Sequence, residues 1–467
     1  MLQSDYPRQE NNIMLKRKAY DRLIRWKNQD HKKALCIIGA RQIGKTTIVR
    51  EFAEEYYENF IEINFYEEPE AMKIFSGNLD VDTIITNLTA YTRKLMEPHK
   101  TLVLFDEIQQ FPNIRTAMKF LVADGRFDYI ESGSLLGVNF KEVVSFPVGF
   151  EEVYKMYPMD FEEFLWANGV QQSTIDYLKK SYDTLVPVSQ AVHDTMMKLF
   201  NTYIVVGGMP EAVQIYVDTH DIAKVISFQN DIITQYGHDV SQYADTNSDK
   251  QKIKAIYDAI PSQLNDKNRR FYVNALDRYA KLNRYENSFK WLSDAGVALP
   301  CYNVSAPQPP LKLNEKHSLF KLFMGDIGLL CAACMENIQF DILNGNLEIN
   351  MGSILENAMA QELHSNGFEL FYYDSSKIGE VDFVIQNGVG IELLEIKSGK
   401  EYRKHKALDN ILSVSEWSFR KAMVFCRDNI QSEGRIIYLP WYMIMFVKPR
   451  EQPESMIYKI DLDGLNN

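Results

Sequence analysis

Few cysteines and no long apolar run occur in this sequence. The five cysteines lie mostly far apart in a chain of 467 residues, and such spacing excludes a disulfide framework. No segment approaches the roughly 18 consecutive apolar residues that a membrane-spanning helix requires. The N-terminal segment, residues 1–12, is polar and carries acids, which is not the pattern of a signal peptide. We therefore expect a cytoplasmic protein with reduced thiols and no membrane partner.

A net positive charge is also absent, because the formal net charge is −12. Nucleic acid would have to bind local basic patches against this overall field. Two patches are candidates, the tract Lys400–Lys406 and the mixture of basic and aromatic residues between Lys267 and Lys290. Each pattern is also typical of an ordinary solvated surface. Charge therefore neither requires nor excludes a nucleic-acid partner.

The length and the hydrophobic content of 46% indicate several globular units in an α/β chain. Strand and helix patterns alternate over residues 1–157, which predicts parallel βαβ units in a three-layer α/β domain. Helical periodicity dominates residues 158–248. Three further helical runs and a Pro-rich break favour a small helical or winged-helix-like region over residues 249–320. Residues 321–467 have the helix and strand patterns of a separate α/β domain.

The segment Gly39–Thr46 carries the most specific motif. Its sequence GARQIGKT fits the phosphate-binding pattern GxxxxGK[ST] and lies between a predicted strand and a predicted helix. Its glycines allow a tight turn, and backbone N–H groups and the helix N-terminus attract phosphate. We expect Lys45 to reach the β- and γ-phosphates of ATP and Thr46 to bind Mg²⁺. The predicted nucleotide-binding residues are Gly39, Ala40, Arg41, Gln42, Ile43, Gly44, Lys45, Thr46 and Thr47.

A second element of a phosphate site is the apolar strand Thr101–Phe105, which is followed by two acids. This is the Walker B arrangement, and it places Asp106 at the strand tip beside the metal. We expect Asp106 to hold Mg²⁺, largely through water. Glu107 would orient and deprotonate the attacking water.

Further groups near this site have two interpretations each. The next strand leads to Ser132, where AAA-like ATPases place a polar sensor of the γ-phosphate, but serine is also a common turn residue. Arg115 and Arg126 are candidate stabilisers of transferred charge, and both also fit solvated surface arginines.

The C-terminal unit contains acids in the order E…D…ExK, which is the PD-(D/E)XK nuclease pattern. Glu356 lies on a predicted helix, Asp382 opens a strand, and Glu395 and Lys397 close the next strand. Asp382 and Glu395 would bind Mg²⁺, Lys397 would orient the nucleophile, and Glu356 would complete the metal shell. Because an alternating strand gives ExK by chance, a degenerate scaffold or an ion-pair cluster is the competing interpretation.

Six segments together resemble a known family, the bacterial and archaeal ATPases that join an AAA-type domain to a C-terminal DUF4143 domain. They are GARQIGKTT at 39–47, LFDEIQ at 104–109, ESGSLLG at 131–137, YPMDFEEFL at 157–165, GGMPEAV at 207–213 and FKLFMGDIGLL at 320–330. The resemblance implies an AAA-like P-loop domain and a C-terminal domain with a restriction-endonuclease-like fold. One departure is Phe150, where the family usually carries a basic residue. If that residue stabilises transferred charge in relatives, another group must do so here.

These patterns favour a Mg²⁺-dependent ATPase whose hydrolysis moves a nuclease-like domain on nucleic acid, with DNA as the expected form. The alternative is a nucleotide-switched interaction module. In that case the C-terminal domain grips a protein partner or another copy of the chain and cuts nothing.

Overall fold

The computed structural model describes residues 15–76, 80–134, 148–243, 247–266, 269–335, 338–345, 351–451 and 457–460. Within these ranges, no helix is both long enough and apolar enough to cross a membrane. Lys267 of the second basic patch and segment 135–137 of the family resemblance lie outside the described residues.

The N-terminal unit is built on one parallel sheet. Its strands are β1 (Ala34–Ile38), β2 (Asn59–Asn64), β3 (Thr101–Asp106), β4 (Asp128–Gly133) and β5 (Glu151–Lys155). The strand order is β2-β3-β4-β1-β5, and every neighbouring pair is parallel. Its helices are α1 (Lys18–Lys27), α2 (Lys45–Tyr56), α3 (Val81–Thr92) and α4 (Ile114–Asp124), with short 3₁₀ helices at Pro69–Phe75 and Ile108–Gln110. The parallel α/β arrangement expected from the sequence is confirmed.

Burial explains why β1 and β3 were predicted from the sequence and β5 was not. Every residue of β1 and β3 is buried, and continuous apolar runs are typical of strands covered on both faces. The strand β5 was not expected. It lies at the sheet edge, and none of its residues is buried, so its sequence has no apolar signal.

The middle of the chain is helical. Its helices are α5 (Phe161–Ala167), α6 (Gln172–Thr184), α7 (Gln190–Val206), α8 (Pro210–Thr219), α9 (Ile222–Tyr243), α10 (Asn247–Leu264) and α11 (Glu286–Asp294). The prediction of a helical run between α10 and α11 is wrong. The structure has short 3₁₀ helices there, at Val273–Ala275 and Leu282–Arg284. None of the residues in these short helices is buried, so no apolar stripe fixes an α-helix there.

In the described residues that follow, the chain forms two sheets and four α-helices. The strands are β6 (Ala298–Val304), β7 (Glu315–Met324), β8 (Phe371–Ser375), β9 (Gly379–Val381), β10 (Phe383–Asn387), β11 (Gly390–Ile396), β12 (Lys421–Cys426), β13 (Gln431–Glu433) and β14 (Ile436–Pro440). The helices are α12 (Ile327–Cys334), α13 (Gln339–Leu343), α14 (Gly352–Ser365) and α15 (Lys406–Leu412), with 3₁₀ helices at Leu311–Asn314 and Trp441–Phe446.

The strand orders are β7-β6-β8-β9 and β10-β11-β12-β14-β13. The antiparallel pair β6–β7 is therefore extended by β8, which is parallel to β6, and by β9, which is antiparallel to β8. The strand β7 also continues across the expected boundary between residues 320 and 321. The division into four units remains a prediction.

One apolar core connects the three parts of the molecule. It contains Leu35 of β1, Phe200 of α7, Leu322 of β7 and Leu355 of α14. Two further clusters cover the opposite face of the N-terminal sheet and one face of the C-terminal sheet. The N-terminal sheet, the helices and the C-terminal unit therefore share one close-packed interior.

Candidate functional site

The loop between β1 and α2 has the backbone that a phosphate cradle needs. Gln42 and Gly44 adopt left-handed conformations, with φ of 63° and 85°. A Cβ on Gly39 would lie 2.2 Å from the carbonyl oxygen of Met156, so any side chain at this position would displace the loop. The helix α2 begins at Lys45, and its first turn offers backbone N–H groups to an anion.

Lys45 is buried against this loop. Its Nζ donates to the carbonyl oxygens of Gly39 at 3.0 Å and Ala40 at 2.7 Å. Burial lowers the pKa of the amino group to about 8, against the opposing effects of Glu107 and Asp106. The amino group is thus held on the loop's own carbonyls and lies within electrostatic reach of both acids.

Thr46 and Asp106 meet at the end of β3. The Thr46 hydroxyl donates to Oδ2 of Asp106 at 2.9 Å. The same oxygen accepts a longer hydrogen bond from Asn64 Nδ2, at 3.4 Å, and Oδ1 accepts from the Glu107 N–H at 3.0 Å. Mg²⁺ prefers oxygen ligands and keeps several waters and phosphate oxygens, so this hydroxyl and carboxylate fit the ion. Asn64, which pairs with Asp106 in the sheet register, was missed by the sequence analysis.

Glu107 follows Asp106 in a left-handed conformation, with φ of 54°, which is uncommon for a residue other than glycine. The Gln109 amide donates to its carboxylate and, at 3.3 Å, to the Ser134 hydroxyl. Burial, and next the charge of Asp106, raise the pKa of Glu107. A carboxylate with a raised pKa is a stronger proton acceptor, and Gln109 orients it.

Ser132 lies on β4, which separates the P-loop strand β1 from β3. It is fully buried, and its hydroxyl has no hydrogen-bond partner within the described part of the chain. Such an unpaired buried hydroxyl is a candidate for a ligand contact.

The two arginines proposed as charge stabilisers are engaged by acids. Arg115 is buried, and its Nε lies 3.0 Å from Oε2 of Glu151. Arg126 pairs with Asp82 and Asp124 at 2.6 and 2.8 Å. These ion pairs support a structural role for both arginines.

Side chains outside the sequence motifs donate hydrogen bonds to carbonyl oxygens of the P-loop. Arg17, just before α1, donates from Nη1 to the carbonyl oxygen of Ile43 at 2.9 Å and from Nη2 to that of Tyr157 at 2.7 Å. The Tyr236 hydroxyl of α9 donates to the carbonyl oxygen of Arg41 at 3.1 Å, and the exposed Gln42 side chain bonds Gln235. No local motif marks Arg17 or Tyr236, because their partners are distant in sequence.

The four C-terminal candidates form two neighbouring groups. Oxygens of Glu356 and Asp382 lie within 4.8 Å of each other, together with Glu380, which the sequence analysis did not select. Lys397 instead pairs with Glu395 at 2.7 Å. The groups are adjacent because Oδ2 of Asp382 accepts from the Ile396 N–H at 2.7 Å. Burial, and next the charge of Asp382, raise the pKa of Glu395.

Two cations enter this acidic cluster that the sequence analysis did not assign to it, Lys321 and Arg269, and Arg269 belongs to the second basic patch. The fully buried Lys321 lies 3.2 Å from Glu356 and 2.6 Å from Glu380. Arg269 pairs with Glu356 and lies 3.8 Å from Asp382. These contacts favour the ion-pair interpretation of the cluster over an open metal site.

The basic tract Lys400–Lys406 is partly paired as well. Arg403 bonds Glu433 and Gln431, and Lys404 pairs with Glu401 at 2.5 Å. These exposed pairs fit the solvated-surface interpretation.

Family comparison identifies the N-terminal part of this arrangement. Residues 31–165 match the model of an AAA domain. The AAA domain therefore contains the P-loop, Asp106, Glu107 and Ser132. Two domains of unknown function match further along the chain, DUF8612 over residues 197–339 and DUF4143 over residues 351–444. The AAA and DUF4143 parts of the resemblance are thereby confirmed, whereas a nuclease-like nature of DUF4143 remains a prediction. No curated protein matches the chain.

Solved structures to which this chain is similar include a Walker-type ATPase of Pyrococcus abyssi, with 12% identity, a TM-score of 0.41, and 68% of this chain and 96% of that chain covered. The Aeropyrum pernix ORC1 protein, in complex with DNA, has 12% identity and a TM-score of 0.31, with 70% and 94% covered. The Cdc6p protein of Pyrobaculum aerophilum has 13% identity and a TM-score of 0.27, with 73% and 97% covered. At these identities and TM-scores, the likeness carries no statement about function.

Proposed function

We propose that the protein is a Mg²⁺-dependent ATPase. The observation that carries the proposal is the 2.9 Å contact between Thr46 and Asp106, beside Lys45 in the P-loop of an AAA domain. Lys45 and the loop N–H groups bind the phosphates of ATP, and Thr46 and Asp106 hold the ion. Mg²⁺, when bound, neutralises charge on the β- and γ-phosphates.

Glu107 is the proposed base for the attacking water. Its raised pKa and its contact with Gln109 support this role. Proton transfer to a carboxylate is favoured when its pKa approaches the working pH. Ser132 is the proposed sensor, and its unpaired buried hydroxyl supports the assignment.

The loop also offers a route by which nucleotide binding affects the rest of the chain. When Lys45 turns to the phosphates, the carbonyls of Gly39 and Ala40 lose their donor. The neighbouring carbonyls of Arg41 and Ile43 are bound by Tyr236 and Arg17. Coupling requires contacts that differ between two states, and these hydrogen bonds are the proposed differential contacts.

For the C-terminal unit, we favour a nucleic-acid-binding domain with a restriction-endonuclease-like fold, preceded by a winged-helix-like region. Asp382 lies between β9 and β10, Glu395 lies on β11 and Lys397 directly follows β11. The grouping of these residues, with Glu356 on α14, supports this assignment. DNA is the proposed partner.

The second candidate is a nucleotide-switched interaction module that cuts nothing. It is supported by Lys321 and Arg269, which already neutralise the acids that cleavage would use. Because the two candidates share the ATPase, their response to nucleic acid distinguishes them.

The test measures steady-state Mg²⁺-ATP hydrolysis by the wild type, by Lys45→Ala and by the exposed control Lys198→Ala, with and without DNA or RNA. We expect Lys45→Ala to lose about a hundredfold or more in rate, while Lys198→Ala retains it. Equal rates in all three proteins would reject the ATPase site. Stimulation by DNA supports the nucleic-acid proposal, and no response to DNA or RNA favours the interaction module.

A further inference from the structure

Acidic residues of the C-terminal unit form one cluster around Asp382. Glu356 on α14 is fully buried, and Glu380 and Asp382 lie within 4.8 Å of it and of each other. Glu395 is only 6% exposed, and its Oε2 has no hydrogen-bond partner within the described ranges. Asp382 connects these acids, since it adjoins Glu356 and also accepts the N–H that follows Glu395. Carboxylate oxygens grouped in this way are typical ligands of Mg²⁺ or Mn²⁺.

Three cations contact these acids, and one of them, Lys397, pairs with Glu395. The other two, Lys321 and Arg269, differ in accessibility. Lys321 has no exposed side-chain surface and lies between Glu356 and Glu380, so it belongs to the protein interior. The Arg269 side chain is 28% exposed and contacts Glu356 and Asp382 from outside. Arg269 can therefore leave the cluster without passing through the core, whereas Lys321 cannot.

Arg269 is also held in an unfavourable backbone conformation. Its φ of 49° lies in the left-handed region, which is unfavourable for a residue other than glycine. Phe271, two positions later, is fixed to β7, because its N–H donates to the carbonyl oxygen of Phe320 at 2.9 Å. A strained backbone next to a residue that a hydrogen bond fixes in place is expected where a side chain must reach one specific position.

A chain of contacts leads from Arg269 back to the P-loop. The Tyr236 hydroxyl holds the carbonyl oxygen of Arg41, and the Tyr236 ring packs against Tyr257 of α10, with centroids 6.5 Å apart. The helix α10 ends at Leu264, shortly before Arg269. These contacts therefore link the loop at Arg41 to α10, the helix that precedes Arg269 in the sequence.

We propose that Arg269 is an internal plug that excludes divalent cations from the site formed by Glu356, Asp382 and Glu395, and that nucleotide binding at the P-loop withdraws it. The exclusion is electrostatic and steric, because the guanidinium lies between Glu356 and Asp382 and repels a second cation. Only the nucleotide link rests on the proposed ATPase function.

The first test uses the full chain without nucleotide and counts bound Mn²⁺ by the electron paramagnetic resonance signal of the free ion. The variants are Arg269→Gln and the neighbouring control Arg270→Ala, whose own partner is Asp374. We expect Arg269→Gln to gain one Mn²⁺ site at least about tenfold tighter than any such site in the wild type, and Arg270→Ala to match the wild type. Adding Asp382→Asn to Arg269→Gln should abolish the gain.

Thermal melting shows which variants are folded, and Arg269→Met replaces Arg269→Gln if the latter does not melt cooperatively. A folded variant without the added site would overturn the plug. A gain that also occurs in Arg270→Ala, or that survives Asp382→Asn, would overturn it as well.

The second test adds a non-hydrolysable ATP analogue to the wild type. We expect a further Mn²⁺ site beyond the one that accompanies the nucleotide, with an affinity raised about tenfold, and we expect Tyr236→Phe to lose this response. Analogue binding without the further site would overturn the nucleotide link. If the analogue does not bind, the ATPase proposal and the link both fail, while the nucleotide-free test still decides whether Arg269 is a plug.

Discussion

The hydroxyl of Thr46 lies 2.9 Å from Oδ2 of Asp106, although the two residues are 60 positions apart in the sequence. Thr46 lies on α2, which follows β1, and Asp106 ends β3, although β4 separates β1 from β3 in the sheet. The sheet thus brings the start of α2 to the tip of β3, where oxygen ligands from both motifs meet.

This contact predicts the magnesium dependence of the enzyme. Thr46→Ala removes the hydroxyl, so the Mg²⁺ concentration for half-maximal hydrolysis should rise about tenfold or more. In Thr46→Ser this concentration should stay close to that of the wild type. The exposed helical threonine in Thr195→Ala is the matched control. Magnesium titrations of the hydrolysis rate measure the effect. An unchanged requirement in Thr46→Ala would show that the hydroxyl is not a ligand.

Local motifs explain what the sequence could predict. The P-loop and the strand before Asp106 are contiguous segments whose chemistry and backbone are encoded within a few residues, so both were found. Arg17 and Tyr236 lie 26 and 195 positions from the carbonyls that they bind, and one sequence gives no signal for such pairs. Lys321 is similarly hidden, since a lysine in an apolar strand pattern does not indicate that it is fully buried between two glutamates.

Asp326 is expected to be important for stability. Its carboxylate accepts from the N–H groups of Gly208 at 2.6 Å and Leu329 at 3.0 Å, and it is buried at the start of α12. Asp326→Ala leaves both donors without this acceptor, which should lower the free energy of unfolding by about 2–4 kcal/mol. The exposed Asp183→Ala should change it by less than about 0.5 kcal/mol. Urea denaturation compares the two. A similar small loss in both would contradict the assigned role.

Glu362 predicts a pH dependence of stability. Its carboxylate accepts from the Phe161 N–H and the Tyr203 hydroxyl, and burial raises its pKa from 4.5 to about 8. Between these values the folded state binds more protons than the unfolded state, so stability falls as pH rises. Glu362→Gln keeps an acceptor but cannot ionise.

The measurement is the melting temperature between pH 5 and pH 8. It should decline in the wild type and in the exposed control Glu401→Gln, and it should change less in Glu362→Gln. An equal decline of the melting temperature in all three proteins would show that other titratable groups cause the pH dependence.

The most direct measurement of the central claim compares ATP binding and single-turnover hydrolysis in Glu107→Gln with the wild type and with the exposed control Glu54→Gln. Since the substitution preserves shape and removes the base, ATP affinity should stay within about threefold, while the hydrolysis rate falls by about a hundredfold or more. Hydrolysis at the wild-type rate in Glu107→Gln would contradict the assignment of Glu107 as the base. Loss of ATP binding in that variant would contradict the claim that Glu107 acts in hydrolysis and not in nucleotide binding.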